Sequence, residues 1–395
     1  MEKSHYDIID RLAIGDALSR DEWMVLLSSL SADEREYLRS KAQEVAVRHY
    51  GKGIFVRALL EISSYCKNNC YYCGIRASNK NAQRYRLAKE EILECCKEAD
   101  KLGFNTFVMQ GGEDPFQNDA WVVDVVKTVR AAYPDKAITL SVGERSAEAY
   151  AAFKEAGANR FLLRHETRNE EHYQQLHPSM MSAENRRECL FTLKRLGFQT
   201  GSGMMIGSPG QTDEHLYEDI RFLEELQPQM IGIGPFLPAT NTPFENESHG
   251  SADKTILMLS LLRLRFPTVL LRATTALATL CSNGMERAIL AGANVVMPNV
   301  SPVEQRKKYS IYDNKKSTGA ESAQQMQQLE NRLNLLQNAA NININPNPEI
   351  QTQLELTRNQ LADTLSRERS TLVTNINKIN AEKSTFREDA NTPKL

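Results

Sequence analysis

Three cysteines fall within eight residues, in Tyr65-Cys66-Lys67-Asn68-Asn69-Cys70-Tyr71-Tyr72-Cys73-Gly74. Thiolates spaced C-x3-C-x2-C can hold three corners of a [4Fe–4S] cube on one short loop. No fourth cysteine lies nearby in sequence, so one iron is left open to an exogenous ligand. Structural zinc normally takes four protein ligands, and no histidine lies close to this loop. A redox dithiol needs only C-x-x-C. Cys70 and Cys73 supply that, but Cys66 is then unexplained. The cluster reading accounts for all three thiols.

Other residues able to do chemistry stand at the ends of apolar runs. Gln110-Gly111-Gly112-Glu113-Asp114-Pro115 closes one such run, and glycines there let the backbone approach a ligand closely. Ser141 ends another and suits a hydroxyl contact, with Glu144 just beyond. Arg164-His165-Glu166-Thr167 puts four polar side chains at a third strand end, where Glu166 is a natural acceptor for hydroxyls. Arg186 offers a fork for a carboxylate, although on a helix it reads equally as a surface charge. His165 reads as a hydrogen-bonding residue and not as a metal ligand. Gly207-Ser208-Pro209-Gly210 and Gly232-Ile233-Gly234-Pro235 are further glycine-rich strand ends.

The elements that must position these residues follow from periodicity. Residues 1–50 read as helices, with Ser31 and Glu34 spaced as a capping box. Eight short β-branched or apolar runs come next, at 55–62, 104–110, 137–142, 159–164, 199–206, 229–234, 268–273 and 293–298. Amphipathic segments such as KEEILECCKEADKLG and AEAYAAFKEAGA separate them. Eight βα units over roughly 250 residues predict an α/β fold, a closed (βα)8 TIM-type barrel with its site at the strand C-termini. An open doubly wound sheet is the competing architecture. The predicted division is residues 1–50 as helices covering the barrel, 51–317 as the barrel and 318–395 as a helical or disordered tail.

In that tail Gln and Asn dominate. Leu354, Leu361, Leu365, Leu372 and Ile379 form a seam interrupted by Arg358, Glu368 and Asn375, which predicts a marginal helix or weak coiled coil with no catalytic role.

Composition bounds the partners. The chain has 395 residues, a net charge of −2 and seven cysteines. Near-neutral charge gives no argument for nucleic acid or an acidic membrane surface. No apolar run reaches the ~18 residues of a membrane span, and MEKSHYDIID lacks the apolar stretch of a secretory signal. An odd cysteine count without such a signal argues against a disulfide framework. The expectation is a soluble, cytoplasmic protein.

With Tyr72 just before the third cysteine and a barrel pattern behind it, the loop resembles that of the radical S-adenosylmethionine (SAM) superfamily. The resemblance implies a [4Fe–4S] cluster whose open iron binds SAM. An electron from an external donor then yields a 5′-deoxyadenosyl radical, while the protein binds, orients and excludes water. It implies that Tyr72, Gly111, Gly112, Glu113, Ser141, Glu166 and Arg186 surround SAM. In that scheme Glu113 belongs to the motif receiving the methionine amino group, Ser141 and Glu166 meet ribose, and Arg186 clamps the methionine carboxylate.

The series CKNNCYYCGIR, RYRL, GEDPF, LLRHET, SPGQT, IGPFLP, TNTP, RATTA and GANVVMPN narrows this. Over roughly residues 5–315 it is similar to the HydE family of [FeFe]-hydrogenase maturases, a group that shares the full barrel with biotin synthase and methylornithine synthase. Biotin synthesis needs three more cysteines inside the barrel and an arginine. Arg272 could be the arginine, but strands three to five carry no cysteine. The HydE-like series implies partner maturases and an organometallic substrate, a cysteine-bound Fe(CO)2(CN) precursor of the diiron subcluster, attacked by the radical. It implies a cavity lined by Arg57, Gln110, Thr139, Arg160, Thr274, Thr275, Met297, Tyr309 and Tyr312. Some relatives hold a second cluster beyond the last strand. Here YSIYDNKKSTGAESA has no cysteine, so none is expected. A methylornithine synthase-like mutase and a non-catalytic cluster-carrying scaffold stay open as alternatives.

Overall fold

The computed structural model describes residues 4–315 together with Asn331. All belong to the first of two compact units, residues 1–336. The second, residues 337–395, lies outside the described residues, and so does the leucine seam of the tail.

Three helices open the chain, His5–Ala13, Arg20–Ser28 and Ala32–Tyr50. Ser31 and Glu34 form the expected capping box, and Ser19 with Glu22 forms another. Each such cap stabilises a helix start by about 1 kcal/mol. Ile9, Leu12, Trp23, Leu26 and Leu38 are buried in one cluster with Met258 and Leu261 of the helix Ala252–Arg265. The N-terminal helices are thereby held against the outer helical layer.

The eight predicted runs are the eight staves of a barrel. The strands are β1 (Phe55–Val56), β2 (Ala58–Ser63), β3 (Thr106–Gly111), β4 (Ala137–Ser141), β5 (Arg160–Leu162), β6 (Gln199–Ser202), β7 (Met205–Ile206), β8 (Met230–Gly232), β9 (Gly234–Pro235), β10 (Leu270–Arg272) and β11 (Val295–Val296). The main sheet runs β1-β11-β10-β8-β6-β5-β4-β3-β2 with every pairing parallel. β1 and β2 are halves of one run broken at Arg57. One half pairs with β11 and the other with β3, so the same stretch of chain bounds both ends of the ladder. Leu59 N–H donates to Pro298 O and Val300 N–H to Leu59 O, both at 2.8 Å, which continues the seam. The ring is closed, and the open sheet is excluded. β7 and β9 form a short second ladder from the chain just beyond β6 and β8.

Helices between the strands supply the outer layer. Helix Asp119–Ala132 buries Val122, Val125, Val126 and Val129, one apolar stripe at helical spacing. Asn118, Ser146, Ser182 and Thr212 cap helices beginning beyond β3, β4, β5 and β7. Each accepts a bond from a backbone N–H three residues on, which fixes where the loop at the barrel mouth ends. All of Ala58–Ser63 is buried, as a strand covered on both faces requires. Among the described residues no helix is long and apolar enough to cross a membrane.

Candidate active site

At the C-terminal ends of the strands the barrel opens into a cavity of about 300 Å3. Cys66, Cys70, Cys73 and Tyr72 line it, together with Gln110 and Gly111 at the end of β3, Gly112 and Glu113 just beyond it, Ser141 at the end of β4, Glu166, Arg186, Thr274, Thr275, Tyr309 and Tyr312. Residues from many separate segments meet there because parallel strands deliver all their following loops to one face.

The cysteine loop is tied at several points. Lys67 N–H donates to Glu113 O at 2.9 Å, Tyr71 N–H to Leu176 O at 2.9 Å and Ala77 N–H to Asn68 O at 2.8 Å. Gly112 passes so close that a Cβ there would meet Tyr65 O at 2.2 Å and Cys66 Cβ at 2.7 Å. Burial pushes the Cys70 thiol up to about 12; Arg186 opposes that rise and Cys66 adds to it. Burial also raises Cys73 and Cys66, and at Cys73 the other two thiols add to it. Three half-buried thiols that repel one another as thiolates fit a polynuclear iron centre, whose metal charge favours deprotonation. Among the described residues no three His, Cys, Asp or Glu side chains are grouped for one metal ion. A cube takes one thiolate per iron and needs no such convergence.

Beside the thiols stands a set of charged groups. Lys67 Nζ lies 3.3 Å from Glu113 Oε2, and Glu144 N–H donates to Glu113 Oε1 at 2.9 Å. Arg186, 7% exposed, uses Nε on the Glu144 carboxylate and Nη1 on Arg164 O at 3.0 Å. Glu166 sits at φ 66°, a left-handed backbone costly for a non-glycine residue and held by its N–H bond to Gly203 O. Its Oε2 lies 3.2 Å from Arg164 Nη2 without hydrogen-bond geometry. Tyr72 OH meets His177 Nε2 at 3.2 Å, and burial, then Arg186, holds His177 down at about 3.

Several buried polar atoms on the cavity wall make no hydrogen bond within the protein: Arg164 Nε and Nη2, Glu166 Oε2, Arg272 Nε and Thr274 Oγ1. A buried group left unpaired costs about 1–3 kcal/mol, so a cluster of them marks a wall built to meet a polar ligand. Thr274 occupies the N-cap position of helix Thr275–Leu280 yet makes no capping bond, leaving its hydroxyl free.

The structure does not bring every predicted residue to this cavity. Arg57, Thr139, Arg160 and Met297 do not line it. Arg57 sits at the break between β1 and β2 with Nη1 3.1 Å from Met230 Sδ. Burial, reinforced by Arg160 and Arg272, lowers it to about 10. Arg160 opens β5 and donates to Gln199 Oε1 at 2.6 Å and Thr106 Oγ1 at 3.1 Å. Thr139 pairs with Arg160 in register, and Met297 follows β11.

Two charged lining residues escaped the sequence reading, Glu61 and Lys315. A carboxylate inside the apolar run ALLEIS was the available signal, because a charge on a fully covered strand demands a partner. Nothing in the local pattern pointed to Lys315.

Comparison with known proteins adds four likenesses. The model of the radical SAM superfamily matches residues 60–223. The [FeFe] hydrogenase maturase subunit HydE of Thermotoga maritima is 43% identical over 294 residues, 74% of this chain and 84% of that protein. The 3-methylornithine synthase of Methanosarcina acetivorans is 31% identical over 300 residues, 75% of this chain and 84% of that protein. The crystal structure of methylornithine synthase (PylB) superposes with a TM-score of 0.72 at 27% identity, covering 83% of this chain and 96% of that one.

Proposed function

Because this chain belongs to the radical SAM superfamily, within the HydE family of [FeFe]-hydrogenase maturases, we propose that its cavity processes a small iron complex during assembly of the hydrogenase diiron centre. The chain is an enzyme that reductively cleaves SAM. The observation that carries the proposal is the meeting of three thiols, a clamp of charged groups and unpaired polar atoms on one enclosed wall.

When bound, the reduced cluster and SAM supply a 5′-deoxyadenosyl radical. Cys66, Cys70 and Cys73 would hold the cluster, with Tyr72 beside them. Gly111, Gly112 and Glu113 would receive the methionine amino group, and the neighbouring Glu144 N–H and Lys67 orient the Glu113 carboxylate. Arg186 would meet the methionine carboxylate. Two of its nitrogens are already bonded, which fixes its direction. Ser141 and Glu166 would take the ribose hydroxyls.

Thr274, Thr275, Gln110, Tyr309 and Tyr312 form the remaining wall, and Arg272 adds a half-buried cation suited to an anionic, ligand-rich substrate. A cysteine-bound Fe(CO)2(CN) species is the substrate we infer, delivered by a partner maturase, with the electron from an external donor. Arg57, Thr139, Arg160 and Met297 would contact it only if it reaches deeper into the barrel. Catalysis is assigned to residues 51–317, with residues 1–50 as cover and no part for residues 318–395.

The test is anaerobic turnover by reconstituted protein. The iron complex should raise 5′-deoxyadenosine formation and be consumed with it, and lysine should not. Turnover of lysine with an inert iron complex would instead support the carbon-skeleton chemistry that likeness to the methylornithine synthases makes the second reading.

A further inference from the structure

The segment Arg84-Tyr85-Arg86-Leu87 does not line the cavity, yet each of its residues is bonded to the strand or loop that carries the thiols, or stacks on it. Leu87 N–H donates to Ile62 O at 2.9 Å and Ser64 N–H to Tyr85 O at 3.1 Å. The Tyr85 hydroxyl donates to Glu61 O at 2.8 Å. Arg86 grips the Asp114 carboxylate at 2.6 and 2.9 Å and lies 3.6 Å over the ring of Tyr65, the residue before Cys66.

Arg84 has the widest reach. Its Nη1 donates to Ser64 O and to Ile75 O at 2.7 Å, and its Nη2 to Arg76 O at 2.7 Å and Asn79 O at 3.1 Å. Ser64 lies before the first cysteine, whereas Ile75, Arg76 and Asn79 lie after the third. One planar fork therefore joins the two ends of the thiol-bearing loop, with directions that a single ammonium cannot reproduce. All four acceptors are neutral carbonyls, so among the described residues they leave the guanidinium charge without a carboxylate partner. That charge stands beside the loop: the Arg84 guanidinium carbon lies 5.9 Å from the centre of the Tyr65 ring, the residue before Cys66.

We propose that Arg84 is a positioning residue of the thiol loop, fixing its two ends at the separation a cluster needs and keeping beside it a positive charge that favours the reduced cluster. The inference rests on the reading of Cys66, Cys70 and Cys73 as the cluster's ligands. Reduction adds one electron from the external donor and hence one negative charge. A nearby cation stabilises the product of that step more than its precursor.

The two effects separate in two variants of the reconstituted protein. Arg84→Lys keeps the charge and loses the fork, whereas Arg84→Gln loses the charge and most of the fork. Release of iron to a chelator should quicken about tenfold in both, the loss expected of hydrogen bonds to a charged group. The midpoint potential, from reductive titration followed by electron paramagnetic resonance, should fall in Arg84→Gln alone. Wild-type release rates in both variants, or an Arg84→Gln potential equal to the wild type's, would overturn the proposal.

If a variant takes up no cluster, amide exchange in the metal-free proteins decides. Faster exchange confined to residues 64–79 supports the clamp, and unchanged or chain-wide exchange refutes it. A Cys66→Ala protein that keeps the wild-type cluster would refute the cluster reading itself, an outcome distinct from failure of the Arg84 inference.

Discussion

Lys315, 19 residues past the end of β11, reaches back to Glu61 in β2, and the two form a buried ion pair on the cavity wall. Glu61 is fully covered and Lys315 is 9% exposed. Asn299 Nδ2 donates to the other carboxylate oxygen at 2.7 Å, and Lys315 also donates to Tyr309 O at 3.0 Å. Burial pushes Glu61 up and Lys315 down, and each is opposed by the other's charge. The pair fastens the segment 309–315 across the barrel mouth.

Lys315→Met leaves the Glu61 carboxylate buried without its ion-pair partner, and should cost about 3–5 kcal/mol of stability. The double variant Glu61→Gln, Lys315→Met removes both charges and should recover a large part of that loss. Urea unfolding of the metal-free protein measures both. Equal losses in the single and double variants would show that the pairing is not what Lys315 contributes.

Gly112→Ala should abolish cluster uptake. The added methyl would press on Tyr65 O and on the Cys66 side chain, and a backbone oxygen has little room to retreat. Overpacking of this kind costs about 1–3 kcal/mol, here delivered directly to a residue proposed as a cluster ligand. Iron and sulfide content after reconstitution is the readout, and full loading would refute the predicted clash.

Arg186→Met should weaken SAM binding by roughly tenfold to a hundredfold, the range for losing a charge-assisted bond. Titration calorimetry on cluster-loaded protein gives the affinity. A purely structural role, through Glu144 and Arg164 O, predicts lower stability with unchanged SAM affinity.

Acid sensitivity should come in part from His172. Its Nε2 meets Pro209 O at 3.1 Å, its Nδ1 has no partner, and burial followed by neighbouring His215 lowers it to about 4. An unfolded histidine titrates near 6.5, so between those values the unfolded chain binds more protons than the folded one. Stability is therefore lost as pH falls from about 6.5 toward 4 and levels off below. Unfolding of the metal-free protein at pH 7 and pH 5 should show a smaller loss in His172→Gln than in wild type, and equal losses would remove His172 as a cause.

The strands were legible because a parallel barrel covers both faces of each one, and β-branched apolar runs such as ANVVMP have no other use. The thiol loop was legible because three like residues at tight spacing leave few chemistries. What stayed hidden depends on side-chain direction across long sequence separations. Arg84 could be quoted within RYRL, but nothing local told that its guanidinium joins Ser64 to Asn79. Glu61 stood inside an apolar run, and its partner lay 254 residues away in sequence. Arg57, Thr139 and Arg160 carry suitable chemistry yet do not line the cavity that the strand-end loops enclose. Strand membership alone does not say at what height a side chain enters a barrel.

The central claim is that Cys66, Cys70 and Cys73 carry the chemistry of this cavity. Its most direct test is 5′-deoxyadenosine released from SAM under anaerobic, reducing conditions by reconstituted wild type and by each Cys→Ala variant. The account predicts release by the wild type and none above background by any of the three variants. A loaded wild type that never cleaves SAM, or a variant that cleaves it at the wild-type rate, would contradict it.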